Sequence, residues 1–167
     1  MNMDQFTVKA QEAIAGAQIT AQEFDNQQLE PAHLLLTLLS QKDGLVPKIV
    51  QKLGANVAAL SERVESEIRK LPKVTGANAQ PFPSAAFTKV LQVSTREAEQ
   101  LKDEYVSSEH LLISLAESGT PAAALLTEAG VTKQEVYNTL VSIRGSQRVT
   151  DPTRRRSIRP SSASVAI

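Results

Sequence analysis

The sequence predicts an all-α fold, a pseudo-twofold tandem repeat of two four-helix units with about eight helices in all. Three observations carry this. First, a series of signals occurs twice. Phe6-Thr7, Glu30-Pro31-Ala32-His33-Leu34-Leu35 and Leu53-Gly54 return as Phe87-Thr88, Ser107-Ser108-Glu109-His110-Leu111-Leu112 and Ala129-Gly130. The histidines lie 77 residues apart, the glycines 76 and the Phe-Thr pairs 81, a drift that two length differences between the copies explain. Second, aromatics make up only 4% of the chain, glycine is scarce, and Ala, Leu, Glu, Gln and Val dominate, as suits helices. Third, apolar residues recur at spacings of three and four through most of the sequence.

Each element follows from that spacing and from its ends. Phe6, Ala10, Ala13, Ile14, Ala17, Ala21 and Phe24 form one helical stripe, with Asp4 ahead of it as N-cap. The polar stretch Asp25-Asn26-Gln27-Gln28 connects to a helix opened by Pro31, whose fixed φ suits a first turn. Leu34, Leu35, Leu38 and Leu39 are its buried face, and Gly44 breaks it. A short helix carries Val46, Ile49, Val50 and Leu53 and stops at Gly54. The next carries Val57, Leu60, Val64, Ile68 and Leu71 and ends before Pro72.

The second copy repeats the plan. Ser84 caps a helix with Phe87, Leu91, Ala98, Leu101 and Tyr105 on one face, and Ser107 or Ser108 caps the next, with Glu109 near its positive dipole end. Leu111, Leu112 and Leu115 are core positions, and Pro121 starts a short helix ending at Gly130. Thr132-Lys133-Gln134-Glu135 reads as a capping box ahead of Val136, Leu140 and Ile143.

One copy alone would bury roughly 60% of its unfolded surface, the pair close to roughly 70%, so the copies are expected to pack together as one domain. That domain spans residues 1–147: copy one 1–71, a Pro-rich strap 72–83, and copy two 84–147. Residues 148–167 carry five Arg and one Asp without an apolar face and read as a basic disordered tail or linker. The net charge of zero is therefore a mildly acidic globule plus a basic tail.

Several functions are excluded or disfavoured. No G-x-x-x-x-G-K-[ST] loop is present, so this chain is not expected to be an enzyme of the phosphate-loop ATPase kind, and no catalytic motif or cofactor site is evident. Cysteine is absent, which suits a reducing, cytoplasmic setting, and no apolar run approaches membrane-spanning length. His33 and His110 are twins at helix starts with no ligand set around them, so no metal is expected and the simplest reading packs each imidazole on the core. Tail arginines without interleaved aromatics give no expectation of nucleic-acid binding. Glu97, Glu99, Asp103 and Glu104 read as a solvated face or an acidic binding patch.

With these motifs laid out, the chain resembles the N-terminal repeat domain of the ClpB/ClpA/ClpC group of AAA+ chaperones, most closely the ClpB type. The matching residues are Phe6-Thr7 with Ala10-Gln11-Glu12-Ala13-Ile14, Glu30-Pro31-x-His33-Leu34-Leu35, Leu71-Pro72-Lys73-Val74, Ser107 to Leu112, and the exit Arg144-Gly145-x-Gln147-Arg148-Val149-Thr150-Asp151. The resemblance covers roughly residues 1–151 and departs from the family after Asp151.

It implies a monomeric recruiting module that binds unfolded or aggregated polypeptide and passes it to the ATPase ring of its own full-length protein, with neither nucleic acid nor membrane as partner. The alternative it leaves open is an adaptor-docking domain, as in the protease-linked relatives, or a stand-alone protein of this fold. By position, the client-binding residues it implies are Thr7, Ser84, Asp103 and Glu109 as polar members and Leu91, Val93, Leu101, Tyr105 and Val106 as apolar ones. His110 stands where some relatives carry leucine. Beside that reading stands a plainer one, in which Thr7 and Ser84 cap helices and Leu91, Leu101 and Tyr105 belong to the core.

Overall fold

The computed structural model describes residues 2–74, 80–145, 149–150 and 152. Copy one contains α1 (Val8–Glu23), α2 (Pro31–Ser40), α3 (Leu45–Lys52) and α4 (Val57–Arg69); copy two contains α5 (Ala85–Gln100), α6 (Ser108–Ala116), α7 (Pro121–Glu128) and α8 (Lys133–Arg144). A 3-10 turn at Met3–Gln5 precedes α1. Two two-residue strands, β1 (Gln28–Leu29) and β2 (Phe82–Pro83), pair in parallel.

The structure corrects the register of the repeat. α1 and α5 are both 16 residues long and are capped by Thr7 and Ser84, whose hydroxyls accept from the amides of Ala10 and Phe87. The counterpart of Thr7 is therefore Ser84, at the same 77-residue offset as the histidines. The recurrence of Phe-Thr at Phe87-Thr88 does not mark equivalent positions. Phe87 occupies the place of Ala10, and the buried stripes Ala10, Ala13, Ala17, Ala21 and Phe87, Val90, Ser94, Ala98 match position by position. One single-residue difference, between α2–α3 and α6–α7, then accounts for the whole drift. Asp4 is not the cap of α1; it lies in the 3-10 turn, its amide donating to Asn2 Oδ1 at 2.9 Å.

The same register exposes a reciprocal exchange between the copies. The segment entering α1 runs beside the segment entering α6: Phe6 and Val106 form a parallel bridge, the Thr7 amide donates to Val106 O at 2.9 Å, and the Val106 amide to Gln5 O at 2.8 Å. The segment entering α5 likewise runs beside the segment entering α2. There Leu29 pairs with Pro83, the Ser84 amide donates to Leu29 O at 3.0 Å, and the Phe82 amide to Gln27 O at 3.1 Å. Each copy's first helix is thus anchored on the other copy.

Between these seams α2 and α6 lie against each other, buried nearly all round, in one core to which all eight helices contribute. Non-glycine left-handed residues close the first helix of each copy, Asp25 at φ 57° and Lys102 at φ 61°. Gly54 and Gly130, at φ 89° and 83°, stop α3 and α7, a backbone that costs glycine little and other residues more. α5 ends at Gln100, so Leu101 and Tyr105, expected on its face, lie in the following loop. In the strap, residues 75–79 lie outside the described residues. So do residues 148, 151 and 153–167 of the expected tail; Val149, which is described, is fully buried.

Phe6→Ala removes a fully buried ring from one of the two seams and is expected to cost about 3–5 kcal/mol. Because the seam joins the copies, urea unfolding followed by circular dichroism should show a single transition at a lower midpoint. Two separated transitions would mean that the copies fold independently.

Candidate functional site

Two features of the described residues stand outside ordinary helix packing: an open groove beside α5, to which both copies contribute, and a buried charged cluster of the second copy beneath the α5–α6 loop. The groove consists of two adjoining depressions of about 330 Å³ each that share Ala86. Ala85, Val90, Val93 and Ser114 line the first, with Lys89, Glu117 and Ser118 at its edge. The second continues past Gly119, Thr120, Pro121 and Ala122 to Pro31, Ala32 and Leu71, with Glu30 and Glu67 alongside. The groove is open because small side chains start α5, whereas α1 carries Val8 and Lys9 at the places of Ala85 and Ala86. Ser114 adds little polarity, since its hydroxyl donates to Val90 O at 2.7 Å.

The cluster is built on Asp103. Its Oδ2 accepts from His110 Nε2 at 2.7 Å, and its Oδ1 accepts from Arg144 Nη2 at 2.5 Å and from the Val149 amide at 2.7 Å. Arg144 also donates through Nη1 to Glu109 Oε2 at 3.1 Å. His110 Nδ1 accepts from the Ser107 amide at 2.8 Å, which places the imidazole proton on Nε2, facing Asp103. Burial alone would raise the Asp103 pKa, but the bonds from His110, Arg144 and Val149 and the guanidinium charge outweigh it and hold it at about 2.

Copy one has the same frame without the charges. Asn26, Ala32 and Ile68 stand at the places of Asp103, Glu109 and Arg144. His33 Nδ1 accepts from the Glu30 amide at 2.9 Å, its Nε2 donates to Asn26 Oδ1 at 2.8 Å, and Asn26 Nδ2 donates to Pro72 O at 3.2 Å. Burial, partly opposed by the backbone bond at Glu30, lowers the His33 pKa from 6.5 to about 4.

The structure distributes the ten residues implied by the resemblance among different settings. Thr7 and Ser84 are helix caps related by the pseudo-twofold, one at each seam. Val106 is buried in the bridge to Phe6. Asp103, Glu109 and His110 come together in the cluster and are all under a tenth exposed. Leu91 and Leu101 are half-buried against the core, and Tyr105 is half-buried in the loop. Val93 alone of the ten lines the groove.

Arg144 was legible as a fourth-residue step from Leu140, in register with Ile68, but its charge concealed it and the neighbouring Ile143 was read as the core position. The acidic stretch on α5 divides as well. Glu97 is buried and accepts from Lys133 Nζ at 3.0 Å and from Tyr137 Oη at 2.5 Å, while Glu99 and Glu104 are exposed. Among the described residues, no group of three or more His, Cys, Asp or Glu is placed to hold a metal, and no helix is long and apolar enough to cross a membrane.

The family model for the Clp repeat N-terminal domain matches residues 5–129. The chain is 39% identical over 153 residues to the chaperone protein ClpB of Bacillus anthracis, which covers 90% of this chain and 18% of that protein. It is 36% identical over 152 residues to the ClpB chaperone of Mycobacterium tuberculosis, with 90% and 18% covered. The chain thus spans about a fifth of the length of the curated relatives it matches. Among solved structures, the Hsp104 N-terminal domain from Candida albicans aligns at TM-score 0.78 and 25% identity, covering 89% of this chain and 97% of that one. The ClpV N-domain solved in complex with a VipB peptide aligns at TM-score 0.65 and 14% identity, with 83% and 86% covered, and shares the fold.

Two outcomes follow from the buried groups. Arg144→Ala leaves the Asp103 and Glu109 carboxylates buried without their shared guanidinium and should cost about 3–5 kcal/mol in urea unfolding at neutral pH; a cost under about 1 kcal/mol would mean the cluster is well solvated. His33 binds its proton less readily in the folded than in the unfolded state, so its contribution is complete above pH 6.5 and is lost as pH falls from 6.5 to about 4, a loss of about 3 kcal/mol. His33→Gln should remove that share of the pH slope, which a stability series across this window would detect.

Proposed function

This chain belongs to the Clp repeat N-terminal domain family, and from that we propose that it is the substrate-recruiting domain of a ClpB-type disaggregase. Its partner is unfolded or aggregated polypeptide in the cytoplasm, which it passes to an ATP-driven ring in the full-length protein. The observation that carries this reading is the groove: two adjoining apolar depressions, lined by Ala86, Val90, Val93, Pro121 and Leu71, with Glu30, Glu67, Glu117 and Lys89 at the edges.

An unfolded chain presents isolated apolar side chains separated by backbone amides and polar residues. Adjoining shallow depressions accept the former at intervals, and carboxylates at the edges accept hydrogen bonds from the latter. The buried area available is far below that of a stable protein–protein interface, so binding is weak, tolerant of sequence and quickly reversed. Those properties suit a module that must release its client onward. The ClpV N-domain of the same fold was solved in complex with a peptide, which makes a peptide a natural ligand to test first.

Within this reading, Val93 contacts the client directly. Asp103, Glu109 and His110 act from beneath the surface, by setting the loop that follows α5.

NMR titration of the chain with a permanently unfolded model protein tests the proposal. Shifts should concentrate on residues 85–93 and 114–122, and the pair Ala86→Glu with Val93→Asp should weaken binding at least tenfold while leaving the melting temperature nearly unchanged. Shifts centred elsewhere would relocate the site. Binding to a folded adaptor in preference to unfolded chains would favour the docking alternative.

A further inference from the structure

The charged trio in copy two is not required by the fold, because copy one makes the same helical frame with Asn26, Ala32 and Ile68 in its place. Burying three ionised groups is no general route to stability, since their desolvation offsets most of their attraction. What the charges do that a neutral trio does not is visible in the bonds of Asp103. One lobe of its carboxylate is shared between Arg144 and the backbone amide of Val149, a residue beyond the end of α8.

That contact is one of several that fasten the same stretch. Val149 O accepts from the amides of Glu104 at 2.8 Å and Tyr105 at 3.1 Å, and the Val149 side chain is fully buried. Pro152 O accepts from the Val8 amide at 2.7 Å, and so satisfies a first-turn donor of α1 that has no partner within its helix. The stretch therefore touches two separate parts of the domain: the α5–α6 loop and the start of α1.

We infer that Asp103, Glu109 and Arg144 form a clasp that holds the chain after α8, so that its point of departure from the domain is set at Val149 to Pro152 and not at Gly145. Gly145, at φ 57° directly after α8, is where a break in direction would otherwise fall. Arg144 is central: as the last residue of α8 it ties that helix to the loop through Asp103 and to the start of α6 through Glu109. Asp103 then presents its remaining acceptor capacity to the departing backbone. Pro152 is thereby placed against the start of α1, beside the seam where Phe6 meets Val106.

The test copies the neutral trio of copy one into copy two, as the variant Asp103→Asn, Glu109→Ala, Arg144→Ile. Native-state hydrogen exchange by NMR on the whole chain should show at least tenfold faster exchange at the amides of Val8, Glu104, Tyr105 and Val149, with Leu111 and Leu112 unchanged. Asp103→Asn alone, a milder change, should show the same local pattern. Unchanged exchange at the four amides in either folded variant overturns the inference. So does collapse of the triple variant together with faster exchange throughout α6 and α8 in Asp103→Asn, because the trio would then hold up the domain and not its exit.

Discussion

The backbone exchange between the copies is the constraint on which the rest of this domain depends. Each four-helix unit is too small to bury its apolar faces alone, and α2 and α6 are buried nearly all round, each carrying a run of apolar residues that cannot face water. The seams solve this by fixing α1 on copy two and α5 on copy one, which holds α2 and α6 together in the middle. Main-chain hydrogen bonds suit this task because they fix direction and register at once, through residues as unlike as Phe6 and Pro83. Pro83 carries no amide hydrogen; the Phe82 and Ser84 amides make the bonds on either side of it.

Helix content, the order of the helices and most of their buried faces were legible in the sequence because they rest on local regularities. Three- and four-residue spacing, Pro at first turns and Gly at φ values near 85° are each decided within one or two turns of chain. The register of the first helices is not legible from the Phe-Thr pairs, since a dipeptide match holds little information and the seam that marks position 6 joins it to Val106, 100 residues away. Thr7 and Ser84 show the point well. Both look like candidate polar contacts when taken singly, and their equivalence as caps appears only once the helices are aligned end to end.

The candidate site was legible in part for a similar reason. Acidic residues between 97 and 109 drew the reading toward a surface patch, because a carboxylate is usually solvated. Arg144 reverses that expectation from 35 residues further on, by giving Asp103 and Glu109 a shared partner inside the protein. The groove was harder to see. It is created by what side chains lack, at Ala85, Ala86 and Ala122, and alanines in a helix carry the same sequence signal whether they permit close packing or leave a depression. Val93 was read as a contact by position in the family, and nothing in its local spacing marked it.

Comparing the copies separates two uses of one frame. The histidine at N3 reaching back to the amide at the N-cap, the left-handed residue closing the first helix and the acceptor one residue later are common to both, and they define a loop that receives a passing chain. In copy one that chain is the start of the strap. It is held by backbone bonds such as Val74 N to Asp25 O at 2.8 Å and by the neutral amide of Asn26, and it goes on to the second copy. The strap is thus held by a neutral side chain that donates, Asn26 Nδ2 to Pro72 O. In copy two the passing chain is the stretch at Val149, whose amide donates to the Asp103 carboxylate and whose carbonyl accepts from the amides of Glu104 and Tyr105. The chain in copy two meets a carboxylate held ionised by the bonds from His110 and Arg144, among the stronger acceptors a protein can offer to a backbone amide. On this view the divergence of the copies at Asp103, Glu109 and Arg144 follows what passes each loop: a strap carbonyl that needs a donor beside Asn26, and a backbone amide that needs an acceptor beside Asp103.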